Sequence, residues 1–275
     1  MSFSVNTNAS AFIALQNLNV TNSQLNQTQN RINTGLAVST VKDNSAIFAI
    51  AQNLRSDLGG LKAVQQSIDR GISTIDIAIS AGETISDLLI EMKEKAAAAS
   101  DEGLDAASRS ALAEDFNALR DQIGVIVNNA QFNGTNLIDG GSGVVKVLLS
   151  DAATQTFSVA QQTLALGGAN ITLGAASTFT SAAEAQSVLA TLETSLTNVN
   201  KALTTFGSAS RTLETQKEFV TKLSDTIETG IGNLVDADLA RESAKLQSLQ
   251  VKQQLGLQAL GIANQAPQAV LSLFN

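Results

Sequence analysis

SAAEAQSVLATLETSLTNVNKALTTFGSASRTLETQKEFVTKLSDTIETGI, residues 181–231, is the stretch on which the fold turns. Leu192, Leu196, Val199, Leu203, Phe206, Leu213, Val220, Leu223, Ile227 and Ile231 recur at gaps of three, four and seven, which sets them on one helical face. At about 1.5 Å per residue, about fifty unbroken residues would extend about 75 Å. A stripe so long and narrow suits packing beside other long helices better than wrapping round a compact core.

Upstream, residues 44–100 carry the same signal through Ile47, Ile50, Leu54, Leu58, Leu61, Ile68, Ile72, Ile75, Ile79, Leu89 and Met92. Gly59, Gly60, Gly71 and Gly82 lie inside this run, and each costs a helix up to about 1 kcal/mol relative to Ala, so bends or a break are expected there. The stretch from Asp101 to Asp105, with Gly103, reads as a turn. A further helix follows over about 105–129, with Leu112, Phe116, Leu119, Ile123 and Ile126 on a coiled-coil-like seam. Between these helices and 181–231 the texture changes. Gly140, Gly141 and Gly143 precede short runs at 144–149, 156–159 and 171–173, which read as strands with glycine turns.

The two ends share a peculiarity: residues 1–30 and 253–275 carry no charge at all. Each end nonetheless has a helical stripe, Val5, Phe12, Leu15, Leu18, Leu25 and Ile32 at the start, and Leu239, Leu246, Leu249, Leu257, Leu260, Leu271 and Phe274 at the close. A solvated amphipathic helix bears charges on its wet face, so two uncharged ones imply that their polar faces also meet protein. Either they form an ordinary buried pair within the subunit, or they are an assembly surface ordered by neighbouring copies.

Composition narrows the function. The chain has neither His nor Cys, which removes imidazole bases, thiolate nucleophiles, zinc sites and haem ligation. No Ser sits in a nucleophile-elbow context, so no enzyme, cofactor or metal is expected. A formal charge of −8 and a pI near 4.6 argue against nucleic acid. There is no lysine-rich membrane patch, and no run of about 20 apolar residues for a span. The first charge is Arg31, so a cleavable secretory signal is not expected. The 140–143 glycines lack the Lys-Ser/Thr ending of a phosphate loop and precede a strand.

Local motifs then supply a resemblance. Val5-Asn6-Thr7-Asn8, Asn17-Leu18-Asn19, Arg31-Ile32-Asn33-Thr34-Gly35, Lys42-Asp43-Asn44-Ser45-Ala46 and Gln131-Phe132-Asn133-Gly134-Thr135 closely resemble, in order, the blocks of bacterial flagellins. Ala263-Asn264-Gln265-Ala266-Pro267-Gln268-Ala269-Val270-Leu271-Ser272-Leu273 is similar to the family's closing motif. The resembling regions cover about 3–138 and 180–275, and the compact middle is similar to alphaproteobacterial members that lack extra outer domains.

The resemblance implies a mainly α fold: an elongated rod of long antiparallel coiled-coil-like helices, a small β region at about 140–175, and paired N- and C-terminal helices. It implies an inner filament-core domain, 1–42 with 233–275, and an outer rod domain, 43–232. The function it implies is a structural subunit polymerising into the extracellular flagellar filament used for motility. Its partners would be further copies of itself and other flagellins, an export chaperone and secretion apparatus, and cap and hook-associated proteins, with neither nucleic acid nor membrane.

The terminal stripes named above are the candidate assembly interface, with Arg31, Lys42 and Asp43 as candidate contacts at the inner/outer junction. Thr154, Thr156, Ser158, Thr163, Thr172, Ser177, Thr178 and Thr180 crowd the segment expected to face outward, and O-glycosylation of relatives makes them candidate sugar acceptors; the alternative is that Thr simply suits strands. The rival readings are a hook-filament junction protein, which usually has a longer middle, and a secreted helical adhesin or toxin, in which the seams would be a bundle core. An enzyme embedded in a flagellin would need an inserted domain with a His-rich zinc motif.

Overall fold

A computed structural model describes residues 7–141, 144–152 and 154–271, with side chains at the C-terminal end described as far as 265. The chain folds as α1 (Ala9–Thr34), α2 (Ser45–Ala99), α3 (Ala106–Asn129), β1 (Gln131–Phe132), β2 (Thr135–Asn136), β3 (Val144–Leu148), β4 (Thr156–Ala160), α4 (Ala182–Val235) and α5 (Leu239–Leu271). The mainly α class expected from periodicity is observed. The chain divides into two compact units, residues 57–225 and residues 1–56 with 226–275.

In the 57–225 unit three helices pack antiparallel. Asp69 of α2 pairs with Lys217 of α4, whereas Lys93, further along α2, pairs with Glu193, nearer the start of α4. Likewise Lys95 of α2 meets Asp115 of α3, while the Arg109 guanidinium donates to the Ala99 carbonyl. The seams behind these exposed pairs are buried at alternating gaps of three and four: Ile85, Leu89, Met92, Ala96 and Ala99 on α2, and Val199, Ala202, Phe206, Ala209 and Leu213 on α4. Apolar burial, at about 25 cal/mol per Å², holds the helices together, and the half-exposed ion pairs add little.

No break occurs at the glycines of α2. The helix runs on through all four, and three of them are seats for neighbours. A Cβ on Gly60 would lie 2.8 Å from the Asp151 Cβ, one on Gly82 would lie 2.7 Å from Leu203 Cδ2, and one on Gly71 would overlap Val147 Cγ2. The absence of a side chain lets the β3–β4 hairpin approach α2, where Ser67 Oγ accepts the Leu148 N–H. Gly71→Ala is therefore expected to destabilise by about 1–3 kcal/mol through overpacking against stiff Val147. Gly207→Ala, with open space around it, is expected to stabilise by about 0.4–1 kcal/mol. Urea denaturation of both variants checks the contrast in sign.

The strand region differs in detail from the sequence reading. Val144–Leu148 and Thr156–Ala160 pair antiparallel, but 171–173 forms no strand among the described residues, and Ile171 makes only an isolated bridge to Leu166. Ile171 and Leu173 are buried within a loop instead, and buried Ser195 of α4 accepts the Thr172 N–H and holds this loop. A tight hairpin joins β1 to β2 through Asn133 (φ 49°) and Gly134 (φ 78°), the two successive positive φ values a type I′ turn demands.

Carboxylates close three helix starts or turns. Asp105 caps α3 by accepting the Ser108 N–H, Glu184 accepts the Thr180 and Ser181 N–H groups before α4, and Asp43 accepts those of Thr40 and Ser39. These backbone hydrogen bonds hold all three carboxyls below their ordinary range. A carboxyl more acidic in the folded than in the unfolded chain contributes stability that is complete above the unfolded pKa of about 4 and is lost as pH falls through the folded value. Thermal unfolding from pH 7 down to pH 2.5 is expected to show this loss below about pH 4, with a smaller slope in Asp105→Asn.

Candidate functional site: the terminal helix pair

The 1–56/226–275 unit contains two groupings. One is a small core in which Val38, Ala51, Ile231 and Val235 are buried, with Leu36, Ile47, Phe48, Leu54 and Ile227 packed against it. Ile50, read from sequence as part of the α2 seam, is outside it and exposed. The connectors after α1 and after α4 run together here: Leu36 bridges Asp236, and the Ala37 and Ala237 N–H groups donate to the Val235 and Gly35 carbonyls. Gly35 ends α1 in the left-handed region, φ 72°, a conformation that suits glycine.

The other grouping is α1 paired antiparallel with α5. Asn8 Nδ2 donates to the Ala263 carbonyl at 2.6 Å, Gln253 Nε2 to Asn22 Oδ1 at 2.8 Å, and Arg31 NH1 to Glu242 Oε1 at 3.0 Å. Asn8 also caps α1 by accepting the Ala11 N–H. Between these links Leu18, Leu25 and Leu249 are buried, and Gly256 gives Leu18 room: a Cβ there would lie 3.3 Å from Leu18 Cδ1.

The structure separates the sequence stripes into two sets. Leu18, Leu25 and Leu249 lie inside the pair, Ile32, Leu246 and Leu260 are half-buried at its margin, and Phe12, Leu15, Leu239 and Leu257 are exposed. At 100° per residue, steps of three carry Phe12 and Leu15 away from Leu18 by about 120° and about 60°, so the stripe winds round the helix rather than running straight. Val5 and Phe274 lie outside the described residues; Leu271 ends α5, and its side chain is outside them too.

A second apolar set escaped the periodicity reading. Ile13 and Val20 on α1, and Val251, Leu255 and Ile262 on α5, sit roughly 200–240° round from Leu18 and Leu249, on the faces turned away from the partner helix. They are 52–70% exposed. The signal was present: apolar residues occur all round α5, so no single stripe could account for them. Helices apolar on both faces are found where both faces meet protein.

The junction candidates fare differently. Arg31 is in the ion pair with Glu242, Asp43 closes the turn before α2, and Lys42 is exposed. Of the candidate sugar acceptors, Thr154, Thr156, Ser158, Thr172, Thr178 and Thr180 are exposed, and Thr163 and Ser177 half-buried. Thr180 Oγ1 is already donated to Glu184, and Thr154 Oγ1 is engaged with Ser150. Among the described residues there is no metal-binding cluster of His, Cys, Asp and Glu, and no helix long and apolar enough to cross a membrane.

Known proteins fit this geometry. Residues 5–142 match the bacterial flagellin N-terminal helical region, and residues 189–274 match the bacterial flagellin C-terminal helical region. Flagellin FljM of Caulobacter vibrioides is 52% identical over 271 residues, which covers 98% of each chain. Among solved structures, Bacillus cereus flagellin aligns with a TM-score of 0.50 at 22% identity over 56% of this chain and 88% of its own. A provisionally assigned flagellar hook-associated protein from Vibrio parahaemolyticus aligns at 0.60 and 16% identity over 70% and 100%. The fold is thus common to filament and hook-associated chains, and the full-length identity is what separates them. With both ends matched by the family's own helical regions and half the residues shared along nearly the whole length, the chain belongs to the bacterial flagellins, the structural subunits of the flagellar filament.

Proposed function

We propose that the outward apolar residues of α1 and α5 are the contact through which each copy adds to the growing filament. One observation carries this reading: two helices free of charge over residues 1–30 and 253–275 are already paired, yet still present Ile13, Val20, Val251, Leu255 and Ile262 to solvent. Apolar faces of this kind, one on each helix of the pair, mark interaction surfaces. A heterologous contact that does not close on itself gives an open helical polymer from a single subunit type.

In this reading the buried members of the stripes, Leu18, Leu25 and Leu249, hold the pair, and the exposed members, Phe12, Leu15, Leu239 and Leu257, join the outward set. Residues 1–42 and 233–275 form the inner, tube-lining domain of the filament, and 43–232 the outer one. Until assembly the apolar face needs cover, which is the role of an export chaperone before secretion to the outside of the cell; cap and hook-associated proteins meet the same surface at the filament's ends. The chain's work is structural, without catalysis. The exposed Thr156, Ser158 and Thr178 are the best placed sugar acceptors, and a native mass above the 28.5 kDa of the sequence is expected; an unmodified mass rules glycosylation out.

Seeded growth tests the assembly reading. Purified full-length subunits are added to sheared filament fragments beside versions truncated before Phe12 and after Leu260, and lengthening is followed by electron microscopy. Lengthening by the full chain alone supports the reading, and lengthening by both truncations overturns it. Subunits that cap seeds without extending them would point instead to a junction protein.

A further inference from the structure

In the 57–225 unit, α2, β3 and the β1–β2 hairpin enclose a cavity of about 190 Å³. Gly71, whose missing side chain seats Val147, lets β3 lie close to the helix along one wall. Two bases line the space, Arg70 from α2 and Lys146 from β3, together with Asn133 of the hairpin turn. At about 30 Å³ per liquid water, there is room for a small polyatomic ion with part of its hydration.

Neither base has an acid to answer it. Among the described residues the Arg70 guanidinium and the Lys146 ammonium make no ion pair or hydrogen bond. The helical neighbours of Arg70 three and four residues away are Gln66, Ser67, Ser73 and Thr74, and adjacent Asp69 is taken by Lys217. Lys146 stands opposite Ser158, with Val144 and Leu148 on its own face. In a chain of 25 acids and 17 bases, acids are not scarce. Two bases left together at one cavity repel each other, and an anion between them reverses the sign of that interaction.

A buried group points to the same ligand. Ser67, 6% exposed, lines the cavity, and its Oγ accepts the Leu148 N–H at 3.1 Å. Its own proton has no acceptor among the described residues, although Ser73 and Thr74 on the same helix each donate to the carbonyl four residues back. A buried O–H in that state has given up water without replacement. The Asn133 amide also makes no hydrogen bond among the described residues. The lining thus offers a guanidinium, an ammonium, an amide and a hydroxyl, and the complement of such donors is a charged group made of acceptors.

We propose that this cavity is an oxyanion site, taking a carboxylate, phosphate or sulfate group whose charge Arg70 and Lys146 balance and one of whose oxygens accepts the Ser67 proton. That chemistry is shared by a free inorganic ion and by an aspartate or glutamate of a second copy of the chain. The site lies wholly within residues 57–225 and does not need the outward face of α1 and α5 to be the assembly surface.

Equilibrium dialysis of full-length subunits against radiolabelled inorganic phosphate, with ionic strength held constant by chloride, reads occupancy directly. One phosphate per chain is expected to bind saturably, half-filled at or below about 1 mM. Arg70→Gln/Lys146→Gln should weaken binding at least about tenfold, since two charge-assisted contacts are lost. Lys201→Gln/Arg211→Gln removes the same charge from exposed positions outside the cavity and should bind like the wild type. Circular dichroism checks that all three chains fold alike. Filaments are dialysed in parallel. Phosphate bound there as in free subunits identifies a free ion as the occupant, whereas phosphate taken up by subunits but competed out of filaments identifies a carboxylate of a neighbouring copy. No saturable binding by free subunits, undiminished binding by Arg70→Gln/Lys146→Gln, or an equal loss in Lys201→Gln/Arg211→Gln overturns the proposal.

Discussion

Filaments are expected to stop lengthening altogether when Val20→Asp and Ile262→Asp are introduced together, even in the presence of wild-type seeds. Both side chains point away from the helix partner, 52% and 70% exposed, so aspartate costs the subunit little on its own. In a filament each would be desolvated, at several kcal/mol per uncompensated charge, on top of about 1.5–3 kcal/mol of lost apolar burial per site. Two such losses raise the critical concentration for growth by at least about a hundredfold, since every 1.4 kcal/mol is a factor of ten. Circular dichroism separates this from unfolding: helicity and thermal midpoint should match the wild type. Growth at an undiminished rate would remove the outward face from the assembly contact, whereas Leu25→Asp, inside the pair, should disturb the fold of the subunit itself.

Phe116→Ala is expected to be the most damaging substitution in the 57–225 unit, at about 3–5 kcal/mol. The ring is fully buried on α3 and meets Phe179 edge to face, with centroids 5.2 Å apart. That contact ties α3 to the segment entering α4, which Arg120 also holds by donating to the Ser177 carbonyl at 2.8 Å. Few other large rings are available to close the void, because this chain uses neither Trp nor Tyr. A thermal midpoint lowered by roughly 10 °C or more is the expected readout; a loss under about 1 kcal/mol would mean that the pocket collapses around alanine.

Long helices were legible in the sequence because a strict three-four alternation, such as Leu112 to Ile126 on α3, has no other interpretation. Helix continuity was not legible. Gly71 looks the same in a string whether it breaks a helix or seats Val147, and only the neighbour decides. Residues 171–173 failed as a strand for a related reason: short apolar runs bury equally well in a loop when a group such as Ser195 supplies the hydrogen bond. At the termini the missing charges were visible, and they fall largely on two helices that the structure pairs with each other. Which leucines would face inward was not visible, because seven-residue spacing winds slowly round a helix and partner choice fixes the zero of that rotation. Ile13 and Ile262 were passed over because a search for one stripe discards residues opposite it.

The links that close the terminal pair join residues 211, 231 and 255 positions apart. Loop-closure entropy rises only slowly with such separations, but folding rate falls as contacts become less local. A fragment that stops short of α5 cannot form this pair. Until α5 has been synthesised α1 waits for its counterpart, and any machine that engages the chain before then can draw it through a narrow bore without first having to pull that helix pair apart.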